Sequence, residues 1–182
     1  MLLKTHVATA LLLTYIFDCY ISQKYPFYAS NLIARPIIYA TSAILQYLLD
    51  QIGHSGMRYK DHVYPARNLY HSLPAVVLIG LATGTSFYLL LGIKDLLWLF
   101  VSVMLLHWLE DLVTEGGVYV GKKRIRLPRG MRIKYNSVGA NRVAILVFLV
   151  LALTYANPLA SATTFALFLL VATIATFAYI TV

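Results

Sequence analysis

Long apolar runs without a charged side chain constrain the fold of this chain more than any other feature. The stretches 73–91, 143–155 and 158–182 contain no Asp, Glu, Lys or Arg. About 20 apolar residues in a helix cross a bilayer core, which is roughly 30 Å thick. The pattern predicts six transmembrane helices, at 3–21, 32–50, 73–91, 94–112, 142–157 and 159–181.

The composition agrees with a membrane protein. Of 182 residues, 60% are hydrophobic and 12% are charged, whereas a soluble domain is about 25% charged. We therefore expect an all-α integral membrane protein that forms one transmembrane domain over 1–182. The first segment has no small-residue cleavage site before Asp18, so it is predicted to be a retained helix rather than a secretory signal. The single Cys19 excludes an internal disulfide.

The basic residues predict the orientation. With six spans, twelve of the fifteen Lys and Arg residues fall on the side of both termini, and seven of them lie in the loop 113–141. Cytoplasmic loops carry the excess of basic residues, so this side is predicted to be cytoplasmic, in a plasma or bacterial inner membrane. The net charge of +8 then reflects topology and attraction to anionic headgroups, and no nucleic-acid partner is expected.

Histidines and acids gather at one depth on the same predicted side of the bundle. Ionisable groups inside membrane spans are costly and mark function by default. Two pairs stand four residues apart, the spacing that places side chains on one helix face; Asp50 and His54 share such a face if the helix continues through Gly53. Imidazole and carboxylate ligands suit Zn²⁺ or Mn²⁺, so the pattern predicts a site for one or two divalent ions. Its ligands would be His6, Asp50, His54, His71, His107 and Asp111.

Each of these residues has a simpler interpretation when taken alone. A histidine at a membrane interface commonly serves as an amphipathic anchor, and Asp50 and Asp111 could cap helix ends. Glu110 is expected to point away from His107 and to meet water or a basic loop residue, because adjacent helical positions face different directions. The conjunction of two His/Asp pairs with two more histidines favours the metal site.

The same residues resemble a known family, the membrane-bound metal-dependent hydrolases that some bacteria regulate with the SOS response. The stretch "RNLYHSL" matches that family's block at Arg67, His71 and Ser72. The stretch "HWLEDLVTEGGV" matches its block at His107, Asp111, Thr114 and Gly117. His6 stands in place of the family's early histidine, and "RIRLP" is similar to the segment after the last block.

This resemblance covers roughly residues 1–128, and the chain is most similar to a divergent, archaeal-type branch of the family. It implies a membrane hydrolase with a metal centre. The family's Asp-x-Asp-His block is reduced here to Asp50-Gln51-Ile52-Gly53-His54, with one carboxylate fewer and a longer spacing. That departure leaves the number of metal ions and the activity open.

Four further residues are candidates for catalytic roles. Arg67 lies one helical turn before His71, and its planar guanidinium suits a phosphate; an interfacial anchor is the alternative. Ser72 and Thr114 are expected to hydrogen-bond ligands or substrate oxygens, and Glu115 is near enough to act as a base.

Alternation of apolar and basic residues around Gly121 predicts a short cytoplasmic β-hairpin within 118–134. It would attract an anionic lipid or a phosphorylated substrate, or simply anchor the topology.

Three functions of different classes remain open on the sequence. The leading one is a metal-dependent membrane hydrolase, with zinc among the favoured ions. It would cleave a phosphoester or related bond of a phospholipid or headgroup-like substrate at the cytoplasmic face. The second is a non-catalytic scaffold with a structural metal, which would oligomerise through its C-terminal helices. The third is a metal-ion transporter, which the scarcity of ionisable groups in the outer halves of spans three to six disfavours.

Overall fold

The computed structural model describes residues 3–59, 62–67, 69–114, 116–120, 123–134 and 137–156, and in 53–69 and at 156 it describes the backbone alone. The described chain is mostly helical, with two short antiparallel hairpins. Its helices are α1 (Leu3–Lys24), α2 (Pro26–Ala29), α3 (Ala34–Gly53), α4 (Leu73–Leu91), α5 (Asp95–Leu112) and α6 (Val138–Ala156). Its strands are β1 (His54–Tyr59), β2 (His62–Arg67), β3 (Val118–Val120) and β4 (Lys123–Ile125).

Five of the six predicted spans are confirmed as helices, namely α1, α3, α4, α5 and α6. The sixth, at 159–181, lies outside the described residues. By length and composition, Leu73–Leu91 and Val138–Tyr155 are long and apolar enough to cross a membrane among the described helices. The other three long helices, α1, α3 and α5, carry most of the buried polar and charged side chains.

The apolar core lies between α1, α3 and α5. Its centre is formed by side chains with almost no solvent exposure from these helices, and Tyr28 of α2 closes one end. A second, smaller cluster packs Trp108 of α5 and Val76 of α4 against Val118 of β3. The buried members of the main cluster include Ile21, Ile38, Leu96, Leu99, Phe100 and Val103.

A tight turn joins α4 to α5. Gly92 has φ +69°, a left-handed conformation that side chains rarely adopt, and its N–H donates to the Tyr88 carbonyl at 2.8 Å. The fully buried Ile93 follows at once, so the two helices run back along each other.

The predicted hairpin within 118–134 is confirmed in its first half. β3 pairs antiparallel with β4, with Val118 opposite Ile125. The pairing ends there, and Arg129–Met131 forms a 3-10 turn instead of continuing the strand. Isolated bridges from Tyr119 to Ser72 and from Ile133 to Thr114 place this segment beside the ends of α4 and α5.

A second hairpin was not predicted. β1 pairs with β2 from His54 opposite Arg67 to Tyr59 opposite His62. α3 ends at Gly53, so the expectation of one helical face for Asp50 and His54 is wrong. Glycine is a poor helix former, and the following residues include Tyr59, Val63 and Tyr64, which suit a strand.

Candidate metal centre

Three side chains from two elements meet where α4 begins and α5 ends. His71 closes a 3-10 turn (Leu69–His71) directly before α4. His107 and Asp111 lie one helical turn apart in α5. His71 Nε2 is 3.1 Å from His107 Nε2. Asp111 Oδ2 is 3.2 Å from His71 Nε2 and 3.6 Å from His107 Nε2.

His6 joins this cluster from α1. Its Nε2 lies 3.4 Å from Asp111 Oδ1, and its ring stacks on that of His107 with centroids 4.0 Å apart. One ligand atom each of His6, His107 and Asp111 lie within 4.8 Å of one another. His71 is not part of that mutually close group, but its Nε2 contacts both His107 and Asp111. Four residues from three regions of the chain thus point donor atoms toward one place, which we call the His/Asp cluster (His6, His71, His107 and Asp111).

The His/Asp cluster is sealed from solvent. All four side chains have 0% relative exposure, as does Thr114. A carboxylate removed from water is costly unless it has charged or hydrogen-bonding partners. Here the groups around Asp111 include three imidazoles, each of which offers a lone pair or a proton. Burial therefore makes the cluster a place where a bound cation would interact strongly with its ligands.

The spacing within the cluster fits a metal ion. Zn–N distances of about 2.0–2.1 Å put neighbouring ligands of a tetrahedral ion about 3.3–3.4 Å apart. Four pairs of donor atoms in the cluster lie 3.1 to 3.6 Å apart, and the group of His6, His107 and Asp111 lies within 4.8 Å. His6 Nε2 is buried and satisfies no hydrogen bond among the described residues, which coordination would remedy. The buried group of His6, His107 and Asp111 is therefore able to hold a metal ion.

Two side chains outside the predicted set contact these histidines. Gln46 of α3 is 1% exposed and lies with Oε1 2.7 Å from His107 Nδ1. Glu110 lies with Oε2 2.6 Å from His6 Nδ1 and is 7% exposed. The expectation that Glu110 meets water or a basic residue is therefore wrong: α1 packs across α5 so that His6 reaches both Glu110 and Asp111. A buried amide in the apolar stretch around Gln46 was the available signal for its role.

The other predicted ligands are placed differently. Asp50 lies in the last turn of α3 and is partly exposed; the close group of ligand atoms found among the described residues does not include it. His54 begins β1, but its side chain lies outside the description.

Of the four candidate catalytic residues, two have side chains that the structure describes and two do not. Ser72, at the start of α4, is buried. Thr114 Oγ1 donates to the Asp111 carbonyl at 2.8 Å, which ties the end of α5 to the residue after it. The Arg67 side chain and the whole of Glu115 lie outside the described residues.

No protein-family model, curated protein or solved structure matches the chain.

Proposed function

We propose that the protein is an integral-membrane, metal-dependent hydrolase that cleaves a phosphoester or related bond of a lipid or headgroup-like substrate. The observation that carries this proposal is the convergence of His6, His71, His107 and Asp111 on one buried place. The nitrogen-rich ligand set favours Zn²⁺ or Mn²⁺, as one or two ions. The motif resemblance at Arg67, His71, His107 and Asp111 points to the same chemistry.

Location in a membrane is supported by the outward-facing side chains. Large apolar residues on α3, α4 and α6 are exposed, and Leu90 reaches 78%. Contiguous apolar surface of this kind marks contact with a membrane or another protein. By the distribution of basic residues, both termini lie in the cytoplasm of a cell with a plasma or inner membrane. The large exposed side chains include Ile44, Leu78, Leu89, Leu90 and Leu153.

In the proposed reaction the chain supplies ligands, orientation and charge. A divalent ion supplies an activated water at neutral pH. His6, His71, His107 and Asp111 would hold the ion, and their burial would keep bulk water from the site. Arg67 would clamp a phosphate, Ser72 and Thr114 would hold ligands or substrate oxygens, and Glu115 would accept a proton.

A basic segment lies beside the site and fits an anionic substrate. Arg124 donates from Nε to the Gly116 carbonyl at 2.9 Å. Because Gly116 lies five residues after Asp111, this bond holds the guanidinium charge of Arg124 near the end of α5. Further exposed cations in this segment would attract anionic headgroups. They are Lys123, Arg126, Arg129 and Lys134.

A second function has a specific observation in its favour. Catalytic zinc sites keep one position open to water or substrate, whereas structural sites are closed. The 0% exposure of His6, His71, His107 and Asp111 suits a closed site. The alternative is thus a membrane scaffold with a structural metal, assembling through its C-terminal helices.

Purified protein in detergent tests these proposals. Bound metal is measured by elemental analysis, and phosphate release is measured from micellar phosphatidic acid with and without added Zn²⁺ or Mn²⁺. The hydrolase predicts metal-dependent release that is lost in His107→Ala and kept in the matched control His62→Ala. Bound metal without turnover supports the scaffold, metal flux across liposomes supports a transporter, and absence of metal from the wild type overturns the proposed centre.

A further inference from the structure

Two side chains fix which nitrogen of a cluster histidine faces the cluster. Neutral imidazole carries one proton, and the nitrogen without it is the one that binds a metal. We propose that Gln46 and Glu110 are positioning residues that hold this proton on Nδ1 of His107 and of His6. Their task is to turn both Nε2 atoms toward the space beside Asp111 where a cation would be bound. The inference rests on the proposed function in taking these Nε2 atoms as metal ligands.

The orientation of Gln46 follows from its two partners. Its Nε2 lies 3.0 Å from the Val103 carbonyl oxygen, which accepts hydrogen bonds and cannot donate. The amide nitrogen therefore faces Val103, and the amide oxygen faces His107 Nδ1 at 2.7 Å. Because that oxygen also only accepts, the proton lies on Nδ1 of His107. The lone pair on Nε2 is left pointing at His71 and Asp111.

Glu110 acts on His6 in a parallel way. Its Oε2 lies 2.6 Å from His6 Nδ1, a short contact typical of a charge-assisted bond. A carboxylate accepts, so the proton again lies on Nδ1. His6 Nε2 then faces Asp111 Oδ1 at 3.4 Å. Carboxylates and carbonyls commonly orient metal-binding histidines through the second ring nitrogen.

Placing the His107 proton on Nδ1 also determines which residue carries the proton in the contact between His71 and His107. His71 Nε2 and His107 Nε2 are 3.1 Å apart, and a hydrogen bond between them needs one proton. With the His107 proton on Nδ1, the shared proton belongs to His71 Nε2. In the metal-free protein the His71 proton therefore lies on Nε2, while His6 and His107 each carry a proton on Nδ1. For His71 to bind a metal through Nε2, the Nε2 proton must be released and a proton taken up at Nδ1, so that the ring stays neutral.

Long-range ¹H–¹⁵N spectra of histidine-labelled protein in detergent test this assignment in the metal-free state. Nδ1–H tautomers for His6 and His107 in the wild type are expected. Gln46→Met and Glu110→Met remove the acceptors at similar size and should shift the respective ring toward the Nε2–H form. Glu110→Gln, which keeps an acceptor oxygen, should retain the Nδ1–H tautomer. An Nε2–H tautomer of His107 in the wild type overturns the proposal and needs no variant to fold.

Zinc affinity, measured by competition with a chromophoric chelator, gives the second readout. Gln46→Met and Glu110→Met are expected to weaken Zn²⁺ binding about 10–100-fold. The matched control is Thr14→Val, which removes the buried α1–α3 hydrogen bond from Thr14 to Ser42 at 2.9 Å without touching a histidine.

The control separates positioning from general support of the helix packing. Thr14→Val should keep both the tautomers and the zinc affinity, and an equal loss in this variant contradicts the positioning role. Failure of the wild type to bind zinc or to hydrolyse overturns the proposed function instead, while the metal-free spectra still decide the tautomers.

Discussion

Two buried aspartates in this protein have opposite surroundings. Asp18, 1% exposed, accepts from Arg35 Nη2 at 2.6 Å and from the hydroxyls of Tyr28 and Tyr39 at 2.8 and 3.2 Å. These donors carry protons permanently, since burial raises the pKa of the Tyr28 hydroxyl. Asp111 instead faces imidazoles, which can exchange a proton for a metal. The first aspartate therefore has a structural role, and the second belongs to the site.

Replacing Asp18 by alanine should destabilise the protein without removing its metal. The change leaves the buried hydroxyl of Tyr28 and the partly buried hydroxyl of Tyr39 without their acceptor, at a cost of about 1–3 kcal/mol. Loss of the ion pair with Arg35 should add little to this cost, because the Arg35 side chain is 41% exposed and water screens the pair. Thermal unfolding in detergent measures the loss, and elemental analysis measures the metal.

The control for this prediction is Lys24→Ala at the same end of α1. It breaks an ion pair with Asp95 whose lysine is 40% exposed, so little change in the unfolding temperature is expected. Equal effects of the two substitutions, or loss of metal in Asp18→Ala, would contradict the structural role of Asp18.

At the scale of elements, two glycines allow α4 and α5 to lie in close contact. A Cβ added at Gly84 would come 2.5 Å from Leu97 Cα, and one at Gly80 would come 2.8 Å from Val101 Cα. These neighbours are backbone atoms, which cannot rotate away as a side chain would. Small residues four apart commonly permit such contact between membrane helices. The packing also sets the position of His71 relative to His107, because one precedes α4 and the other lies on α5.

Gly84→Ala should therefore force α4 away from α5. Overpacking of this kind costs about 1–3 kcal/mol, and metal affinity should fall as well because the His/Asp cluster spans the two helices. The matched control is Gly139→Ala in α6, where an added Cβ meets nothing within 4 Å and removal of a helical glycine is neutral or slightly stabilising. Unfolding temperature and zinc affinity, measured on both variants, check the prediction; unchanged values in Gly84→Ala would disprove the close packing.

At the scale of the whole molecule, the His/Asp cluster connects distant parts of the chain. His6 lies in α1, His71 precedes α4, and His107 and Asp111 lie in α5. α6 is tied to the same region, because Thr5 donates to Asn141 Oδ1 at 2.6 Å. An ion bound by all of these residues would be lost on unfolding, so its binding energy adds to the stability of the bundle.

Removal of the metal should lower the stability of the whole bundle. At free Zn²⁺ a thousandfold above the dissociation constant, linkage predicts about 4 kcal/mol of stabilisation. The unfolding temperature should accordingly fall on chelation and recover when Zn²⁺ is restored. Asp111→Asn, which keeps the side-chain shape but loses the charge, should abolish the effect of Zn²⁺ on the unfolding temperature. A wild type that unfolds at the same temperature with and without chelator would refute a metal that joins the helices.

Much of the helical framework can be predicted from the sequence, because an apolar run of about 20 residues is a local property. The spacing of His107 and Asp111 likewise follows from helical periodicity, and the alternation after Val118 indicates the first hairpin. The end of α3 at Gly53 is less predictable, since one glycine in a helical pattern is often tolerated. The strand that follows therefore separates His54 from the helical face of Asp50 in a way that the periodicity did not indicate.

The partners of Gln46 and Glu110 were decided only by the tertiary structure. Periodicity determines that Glu110 and Asp111 point in different directions from α5, but not which helix lies opposite each of them. The rotation and closeness of α1 and α3 against α5 bring His6 to Glu110 and Gln46 to His107. Those angles result from the packing of many apolar side chains at once, a property that no single stretch of sequence contains. The sequence alone therefore determined which residues are available for a metal, and the packing decided how they are held.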